Sequence, residues 1–565
     1  MDLENARVAR MLRDYADLLE AQGTDAYRVR AYRAAAHTVE RVVESLPELV
    51  RRDPAGLTRL PGIGKSIAAR IAEYIETGSV ARLEELRRSA PPPLPALRVP
   101  GLGPQRARAL VQALGVSSLE ELRSAARAGR VRAVPGFGAK TEERLLRELD
   151  ELGNAAPVVP RYVALEAAEP LLAVARALPG VVAAEIAGDL RRRRDVAERV
   201  DLALAARDPA RTLDTMARHP EIAELGQRDG ERFDARLRGG LPLRVVASRP
   251  GQFGVALHAA TGSEAHVQAL RALAATRGVD LARVRAADEE ELFSRLALPW
   301  IPPELREGRG EIAAARAGTL PRLITREDLR GDLQMHTTAT DGRDTLEAMA
   351  RAAQARGYEY IAITEHTPAV RVVRGLDAEG FRRQWREIDA LNRRLAGVRV
   401  LKSVEVDILG DGALDLDDQT LRGFDLVLAS IHSKFDLPEK EQTRRVLRAL
   451  RHPSVDVFAH PEGRRIGHRR GARFDWEAVI AAAAGLGKAI EINASPDRLD
   501  ATAEVARDAI GKGVLLTIST DAHSTSELDL VGWGVDQARR AWAEPRHVLN
   551  ALALADLLAR LPRRH

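Results

Sequence analysis

Seven short apolar runs shape the C-terminal part of this chain, and most of them lead into a side chain of the kind that binds metal ions. The runs span residues 332–336, 360–364, 400–408, 425–432, 455–460, 488–493 and 514–520. They are rich in Val, Ile and Leu, and helical segments separate them. Strands that alternate with amphipathic helices indicate a parallel sheet, and seven in succession predict a closed or nearly closed barrel. Because chemistry collects at the carboxyl ends of the strands in such barrels, we expect these side chains to converge on one rim.

Eight side chains at this rim are candidate metal ligands and candidate catalytic groups. Their imidazoles and carboxylates form a donor set that suits Mn, Zn or Fe and is too rich in nitrogen for Mg or Ca alone. Eight ligands are too many for one tetrahedral ion, so we predict two or three divalent metal ions. Clustered ions that bridge a water and clamp two oxygens typically hydrolyse phosphate esters. The eight residues are His336, Asp341, His366, Glu405, His432, His460, Asp521 and His523.

The sequence around these residues resembles a known domain. The matching motifs are GDLQMHTTATDG (331–342), ITEHT (363–367), SVEVDILGDG (403–412), ASIHSKF (429–435), HPEGRRIG (460–467), EINASPDRLD (491–500) and STDAHS (519–524). They are similar to the polymerase-and-histidinol-phosphatase (PHP) domain at the C-terminus of bacterial family X DNA polymerases. The resemblance implies a Mn-dependent 3'-5' exonuclease. Two positions depart from the family pattern, since Gln334 replaces the first His of the usual HxH and Glu365 replaces the usual Asp before His366.

The composition limits the classes of protein to which the chain can belong. Its 565 residues are 45% hydrophobic, which supports several buried cores. The sequence lacks both a run of about 18 apolar residues and the apolar stretch of a signal peptide, so we expect a cytoplasmic, nucleoid-associated protein without a membrane partner. The chain contains no Cys, which excludes thiolate zinc sites, disulfides and Cys nucleophiles. The formal charge of +5 and the pI near 9.6 permit nucleic-acid binding without proving it.

A Pro-Gly-x-Gly hairpin occurs three times in the N-terminal part, and each copy precedes a helical pattern. The glycines let backbone N–H groups at the helix start approach a phosphate closely. Three copies in register resemble helix-hairpin-helix motifs, which bind the DNA backbone without reading its sequence. We expect the second copy to bind least well, because Pro104 lacks an N–H group. The predicted DNA-contacting residues of the hairpins are Gly62, Gly64, Lys65, Gly101, Gly103, Gly136, Gly138 and Lys140.

The first hairpin lies in a segment that resembles the lyase domain of family X polymerases. Lyase chemistry needs a Lys amine that forms a Schiff base. Ser66 and Arg70 occupy the matching positions, and a guanidinium is a poor nucleophile. We therefore predict no lyase activity of the family type.

Strand patterns within residues 181–247 resemble the palm of the same polymerases. Nucleotidyl transfer there needs three carboxylates that hold two metal ions. Asp201 matches the second carboxylate, but Arg199 and Pro242 occupy the positions of the first and the third. Asp189 replaces a Ser that would donate to the triphosphate. We interpret this palm as degenerate.

Four consecutive arginines at 191–194, Arg192 among them, follow Asp189. The pattern supports two roles equally, contact with the DNA backbone or exposure to solvent. Arg464 and Arg465 lie in the barrel segment, where we expect them to hold the substrate phosphate, because a guanidinium pairs with phosphate through two N–H groups.

These patterns predict a multidomain protein with helical domains first, α+β domains next and an α/β barrel last. The expected domains are a lyase-like helical domain (1–80), a fingers-like helix-hairpin-helix domain (81–150), a nucleotidyltransferase-like palm (151–245), a thumb-like domain (246–318), a linker (319–330) and a distorted, seven-stranded PHP barrel (331–565).

Three functional hypotheses are compatible with the sequence. We favour a monomeric repair nuclease that binds gapped, nicked or 3'-ended DNA and carries an inactive palm. The second is a Mn-dependent gap-filling polymerase that binds a dNTP and uses substitute acids such as Asp195, Glu198 or Asp234. The third is a DNA-binding scaffold whose barrel is inert or acts on small phosphate esters.

Overall fold

The computed structural model describes residues 3–21, 26–42, 46–53, 55–89, 102, 104–116, 119–152, 158–238, 240–370, 373–467 and 469–561. The chain divides into two compact units, Met1–Pro157 and Val158–His565. Within the described residues, every helix is too short or too polar to cross a membrane.

The first unit is helical. One hydrophobic core lies between residues 8 and 86, and another lies between residues 102 and 149. The predicted helical character of the N-terminal part is confirmed, and the apolar residues from Val8 to Leu19 are buried or half-buried along one face of the first helix. The helices are α1 (Leu3–Ala21), α2 (Ala26–Arg41), α3 (Leu46–Arg52), α4 (Lys65–Thr77), α5 (Ala81–Ser89), α6 (Pro104–Leu114), α7 (Leu119–Arg127) and α8 (Ala139–Leu152).

The second unit opens with the palm-like segment. Its elements are β1 (Val159–Pro160), α9 (Arg161–Ala177), β2 (Val181–Ile186), α10 (Gly188–Arg191), β3 (Val196–Ala197), β4 (Val200–Ala206), α11 (Pro209–Met216), β5 (Ile222–Arg228), β6 (Arg232–Leu237) and β7 (Pro242–Ser248). Among the described residues, five strands form a sheet in the order β2-β4-β7-β6-β5, in which β4 and β7 run parallel. The predicted strands are present, but β5 was not predicted, because its largely polar and exposed sequence carries no core-facing pattern.

The thumb-like segment is helical and continues the same unit. It contains α12 (Phe253–Thr261), α13 (Glu264–Thr276), α14 (Glu289–Arg295) and α15 (Glu311–Ala317). Leu270, Leu292, Phe293 and Leu305 belong to the core that holds these helices together. Gly262 and Ser263 join α12 to α13, and Ser263 caps α13 by accepting a hydrogen bond from the N–H of His266 at 3.2 Å.

The predicted parallel barrel is confirmed. In the described part of the barrel segment, seven parallel strands follow one another in the order of the chain, and a further bridge pairs Met335 with Ala522 across the two ends of the sheet. The elements are β8 (Gly331–Asp332), α16 (Leu346–Ala355), β9 (Tyr360–His366), α17 (Ala378–Arg394), β10 (Arg399–Asp407), α18 (Asp418–Leu421), β11 (Leu426–Ser430), α19 (Glu439–Leu450), β12 (Val457–Phe458), α20 (Trp476–Leu486), β13 (Ala489–Asn493), α21 (Ala503–Gly511), β14 (Leu516–Ser519), α22 (Val531–Arg540) and α23 (Leu554–Arg560).

The barrel interior changes from apolar to polar along the strands. Leu401 of β10 packs in one cluster with Tyr360 and Leu428, near the amino ends of the strands. Side chains alternate with a period of two in a strand, so Glu405 and Asp407 lie on the same face as Leu401, farther toward the carboxyl end. The apolar layer therefore supports a polar layer at the rim.

Candidate metal centre

The strands of the barrel deliver the eight predicted side chains to one rim. His366 ends β9, and it lies opposite Glu405 of β10 in the parallel register. Asp521 and His523 follow β14, and the N–H of His336 donates to the carbonyl of Ala522 at 2.8 Å. Residues from both ends of the barrel segment thus meet.

Glu405 lies at the centre of this arrangement. Its Oε1 is 2.6 Å from His460 Nε2 and 3.0 Å from His432 Nε2. Its Oε2 is 3.3 Å from His336 Nε2 and 3.3 Å from His366 Nδ1. Divalent ions bound here would be held by this carboxylate together with the imidazoles around it.

The other two predicted carboxylates lie beside His336, His366 and His523. Asp521 Oδ1 is 3.1 Å from His336 Nε2. Asp341 Oδ2 is 3.3 Å from His523 Nε2 and 3.5 Å from His366 Nε2. Asp341 and His523 have 26% and 28% of their side chains exposed, whereas Glu405 is fully buried, so the site opens to solvent on the side of Asp341 and His523.

Among the described residues, three groups of His, Asp and Glu side chains are close enough to share an ion. They are His336 with Asp341, His366 and His523, then His366 with Glu405 and His432, and then His336 with Glu405 and Asp521. His460 is outside these groups and contacts Glu405 directly. The structure therefore brings all eight predicted residues into one connected cluster.

The imidazoles and carboxylates of the cluster shift one another's pKa values. Burial would raise the pKa of Glu405, but the nearby imidazoles of His366, His432 and His460 outweigh burial and hold it well below the ordinary value. Burial would likewise raise the pKa of Asp341, but hydrogen bonds from His366 and His523 outweigh burial and lower this pKa. Burial would lower the pKa of His432, but Glu405 and Asp407 raise it to about 9. The carboxylates are thus ionised at neutral pH and attract positive charge.

Buried atoms without partners support the same conclusion. Nδ1 of His336 and of His460 is buried and makes no hydrogen bond with any described residue, and Nδ1 of His366 and Oε2 of Glu405 face each other at 3.3 Å without forming one. A buried polar atom without a partner costs free energy, and an ion is one way to satisfy it. Because imidazole nitrogen and carboxylate oxygen are the donors that Mn, Zn and Fe prefer, the residues fit divalent metal ions.

Three polar residues beside the cluster were not among the predicted metal ligands. Asp407 Oδ1 is 3.4 Å from His432 Nδ1, and Glu491 Oε2 accepts the N–H of His460 at 2.8 Å. Gln334 is fully buried, and neither polar atom of its amide has a hydrogen-bond partner among the described residues. Asp407 lies two residues after Glu405, so strand periodicity could have added it to the predicted site residues.

The structure gives Arg464 a different environment from the predicted one. Its guanidinium donates to the carbonyls of Arg498 and Leu499 at 2.8 and 2.6 Å and lies 2.9 Å from Asp195. We expected this guanidinium to hold a substrate phosphate at an open surface, but it binds these internal partners instead. Arg465 is half exposed and pairs with Asp497 at 3.2 Å.

The first and third hairpins present their glycines to solvent. Gly62 and Gly136 have φ of +75° and +85°, a left-handed conformation that favours Gly. Gly64 and Gly138 come directly before α4 and α8, and an added Cβ at either position would meet no atom within 4 Å. Lys65 and Lys140 are also exposed. Gly101 and Gly103 of the second hairpin lie outside the described residues.

Two aspartates of the palm-like segment form ion pairs with arginines. Arg199 donates to Asp201 at 2.8 Å, and Arg244 donates to Asp234 at 2.6 Å. Pro242, at the position of the third carboxylate, begins β7. The groups able to share an ion all lie in the barrel, as far as the described residues are concerned.

Two of the four consecutive arginines also differ from expectation. Arg191 makes two 2.8 Å contacts with Glu289 of the thumb-like segment. Arg192 is buried, pairs with Asp189, and donates to Glu307 at 3.0 Å. Neither contact with DNA nor exposure to solvent describes these two side chains, because internal carboxylates bind them.

Comparison with known proteins agrees with this architecture. Four family models match: a helix-hairpin-helix domain (3–80), a SAM-like helix-hairpin-helix tandem (94–151), the DNA polymerase beta thumb (256–307) and the PHP domain (332–518). A protein named probable phosphatase from Acetivibrio thermocellus is 34% identical over 35% of this chain and 80% of its own length. Another protein of that name, from Syntrophotalea carbinolica, is 27% identical over 39% of this chain and 90% of its own length. The DNA polymerase/3'-5' exonuclease PolX of Bacillus subtilis is 36% identical over 98% of this chain and 99% of its own length. The chain therefore belongs to the bacterial family X DNA polymerases that carry a C-terminal PHP domain.

Proposed function

We propose that the barrel hydrolyses DNA phosphodiester bonds from a 3' end and that Mn or Zn ions are its cofactors. The observation that carries the proposal is the convergence of four imidazoles on Glu405, with buried donor atoms left unpartnered beside it. The name of the Bacillus subtilis relative, which includes a 3'-5' exonuclease, supports the choice of reaction.

The side chains of the cluster define how a substrate would be received. Divalent ions bound there would supply the Lewis acidity that hydrolysis of a phosphodiester requires. Asp341, Glu405 and Asp521 stay ionised because their pKa values are lowered. The exposed side of the cluster, at Asp341 and His523, would admit the DNA end.

DNA is the proposed partner of the N-terminal helices as well. The exposed hairpins before α4 and α8 present helix N-termini, which favour phosphate. Binding of this kind suits gapped, nicked or 3'-ended DNA of any sequence. We also propose the domain boundaries given above, together with a monomeric state.

A nuclease assay with a labelled oligonucleotide tests the proposal. The full chain with Mn should shorten the DNA from its 3' end, and His336→Ala should abolish shortening. His452→Ala is the matched control, because His452 lies in the barrel segment away from the cluster and pairs with Asp418 at 3.2 Å. Equal degradation by the wild type and His336→Ala would rule out the barrel as the nuclease.

Nucleotidyl transfer is a second candidate function. The match to a DNA polymerase beta thumb and the relative's name favour it. The arginine partners of Asp201 and Asp234 argue against it, since a guanidinium repels the divalent ions that the reaction needs. Primer extension with Mn, before and after Asp201→Ala, decides the question. Extension that this substitution abolishes would establish a working palm.

Hydrolysis of small phosphate esters is a third candidate, because two relatives of the barrel are named probable phosphatase. Para-nitrophenyl phosphate should be hydrolysed far more slowly than the oligonucleotide if DNA is the substrate. Hydrolysis of this ester alone, with the oligonucleotide left intact, would favour a phosphatase.

A further inference from the structure

Arg498 places a positive charge beside the cluster of eight candidate metal ligands. It follows β13, in the loop 495–501, and its Nε is 4.0 Å from Oδ2 of Asp521. Only 14% of its side chain is exposed. A phosphodiester that reaches the cluster brings negative charge to this position, and a guanidinium offers planar, paired N–H groups to phosphate oxygens.

The loop that carries Arg498 is held from its backbone. Arg464 donates Nε to the carbonyl of Arg498 at 2.8 Å and Nη2 to the carbonyl of Leu499 at 2.6 Å. Leu499 has a φ of +44°, a left-handed conformation that costs free energy in a residue other than Gly. The carboxylate of Asp500 accepts the backbone N–H of Arg464 at 3.3 Å. Arg464 therefore supports the loop at a backbone position that is itself unfavourable.

The other partner of Arg464 comes from the palm-like segment. Asp195, between α10 and β3, has Oδ2 2.9 Å from Nη2 of Arg464 and Oδ1 3.8 Å from Nη1 of Arg540. With 17% of its side chain exposed, this carboxylate lies between two arginines of the barrel segment. A continuous set of contacts thus joins Asp195 to Arg464, to the loop and to the metal centre.

We propose that Arg498 binds a phosphate of the DNA substrate and that Asp195, through Arg464, is a positioning residue for it. The inference rests on the proposed nuclease function. It gives the palm-like segment a role that needs no nucleotidyl transfer, since this segment holds part of the nuclease site in place.

Steady-state kinetics of the full chain on a 3'-labelled oligonucleotide with Mn test the proposal. Arg498→Met should lower kcat/KM about tenfold to 100-fold, the effect of losing a charged hydrogen bond. Asp195→Asn should lower kcat/KM about tenfold, mainly through a higher KM. The matched control is Asp214→Asn, because Asp214 is a palm-like Asp that pairs with an arginine, Arg228, at the surface.

A double variant separates positioning from general stability. Asp195→Asn should have no further effect in an Arg498→Met background, because the group that it positions is gone. Losses that multiply in the double variant, or wild-type kinetics in Asp195→Asn, would overturn the proposal.

Hydrogen exchange provides a readout that does not depend on activity. The amides of the loop 495–501 should exchange faster in Asp195→Asn and Arg464→Met than in the wild type and in Asp214→Asn. Unchanged exchange in both variants would show that the palm-like segment does not hold the loop. A wild type that leaves the oligonucleotide intact would refute the proposed function, and the exchange result would then decide the positioning by itself.

Discussion

Replacing Glu289 by Gln should destabilise the thumb-like segment, because Glu289 neutralises two arginines at a buried site. Its carboxylate makes two 2.8 Å contacts with Arg191 and a 2.9 Å contact with Arg306. Glu289 and Arg306 expose 4% and 0% of their side chains. The substitution would leave the positive charges of both arginines without their common partner.

The size of the effect follows from the pKa of Glu289. Burial would raise it, but the hydrogen bonds from Arg306 and Arg191 outweigh burial and lower it from 4.5 to about 2. A shift of this size corresponds to about 3 kcal/mol. Breaking a buried ion pair costs about 3–5 kcal/mol, so the two arguments agree. Because the folded-state pKa is lowered, this stabilisation is present above pH 4.5 and is lost as the pH falls toward 2.

Native-state hydrogen exchange of peptides that cover α14 measures the free energy of local unfolding. We expect Glu289→Gln to lower it by about 3–5 kcal/mol. Glu291→Gln, on the same helix, is the control and should behave like the wild type, because Glu291 and Arg295 are exposed and the Gln oxygen can still accept the N–H of Ala287. An α14 that is as protected in Glu289→Gln as in the wild type would refute the structural role of the two arginines.

Three further predictions concern the metal centre, the hairpins and the contact between the palm-like and barrel segments. The affinity for Mn, measured by isothermal titration calorimetry, should rise from pH 6 to pH 9. Protons compete with the ion for imidazoles such as His432, which has a pKa of about 9. An affinity independent of pH would contradict this prediction. Lys65→Ala and Lys140→Ala should each reduce the salt dependence of DNA binding by about one phosphate contact, which fluorescence anisotropy at several salt concentrations would detect. Arg161→Met should lower the thermal unfolding temperature, because the Arg161 guanidinium lies 4.1 Å from the centre of the Trp533 ring and 3.0 Å from Asp536. Substitution of the exposed Arg176 by Met is the control. Equal unfolding temperatures for the two variants would refute the prediction.

The sequence by itself determined the barrel and the membership of its polar cluster. Strand runs that alternate with helices predict parallel strands, and the carboxyl ends of parallel strands share one rim. The positions of His366, Glu405 and His432 along the chain therefore predicted their positions in space. The identities of Arg199 and Pro242 likewise decided which palm carboxylates are missing.

Only the tertiary structure decided which groups the arginines bind. The sequence shows that Arg464 and Arg191 carry charge, but their partners, Asp195 and Glu289, lie 269 and 98 residues away along the chain. No local periodicity relates residues at such separations, so an arginine that binds an internal carboxylate has the same sequence pattern as one that binds phosphate. Burial and distance distinguish the two, and both arise when separate parts of the chain pack together.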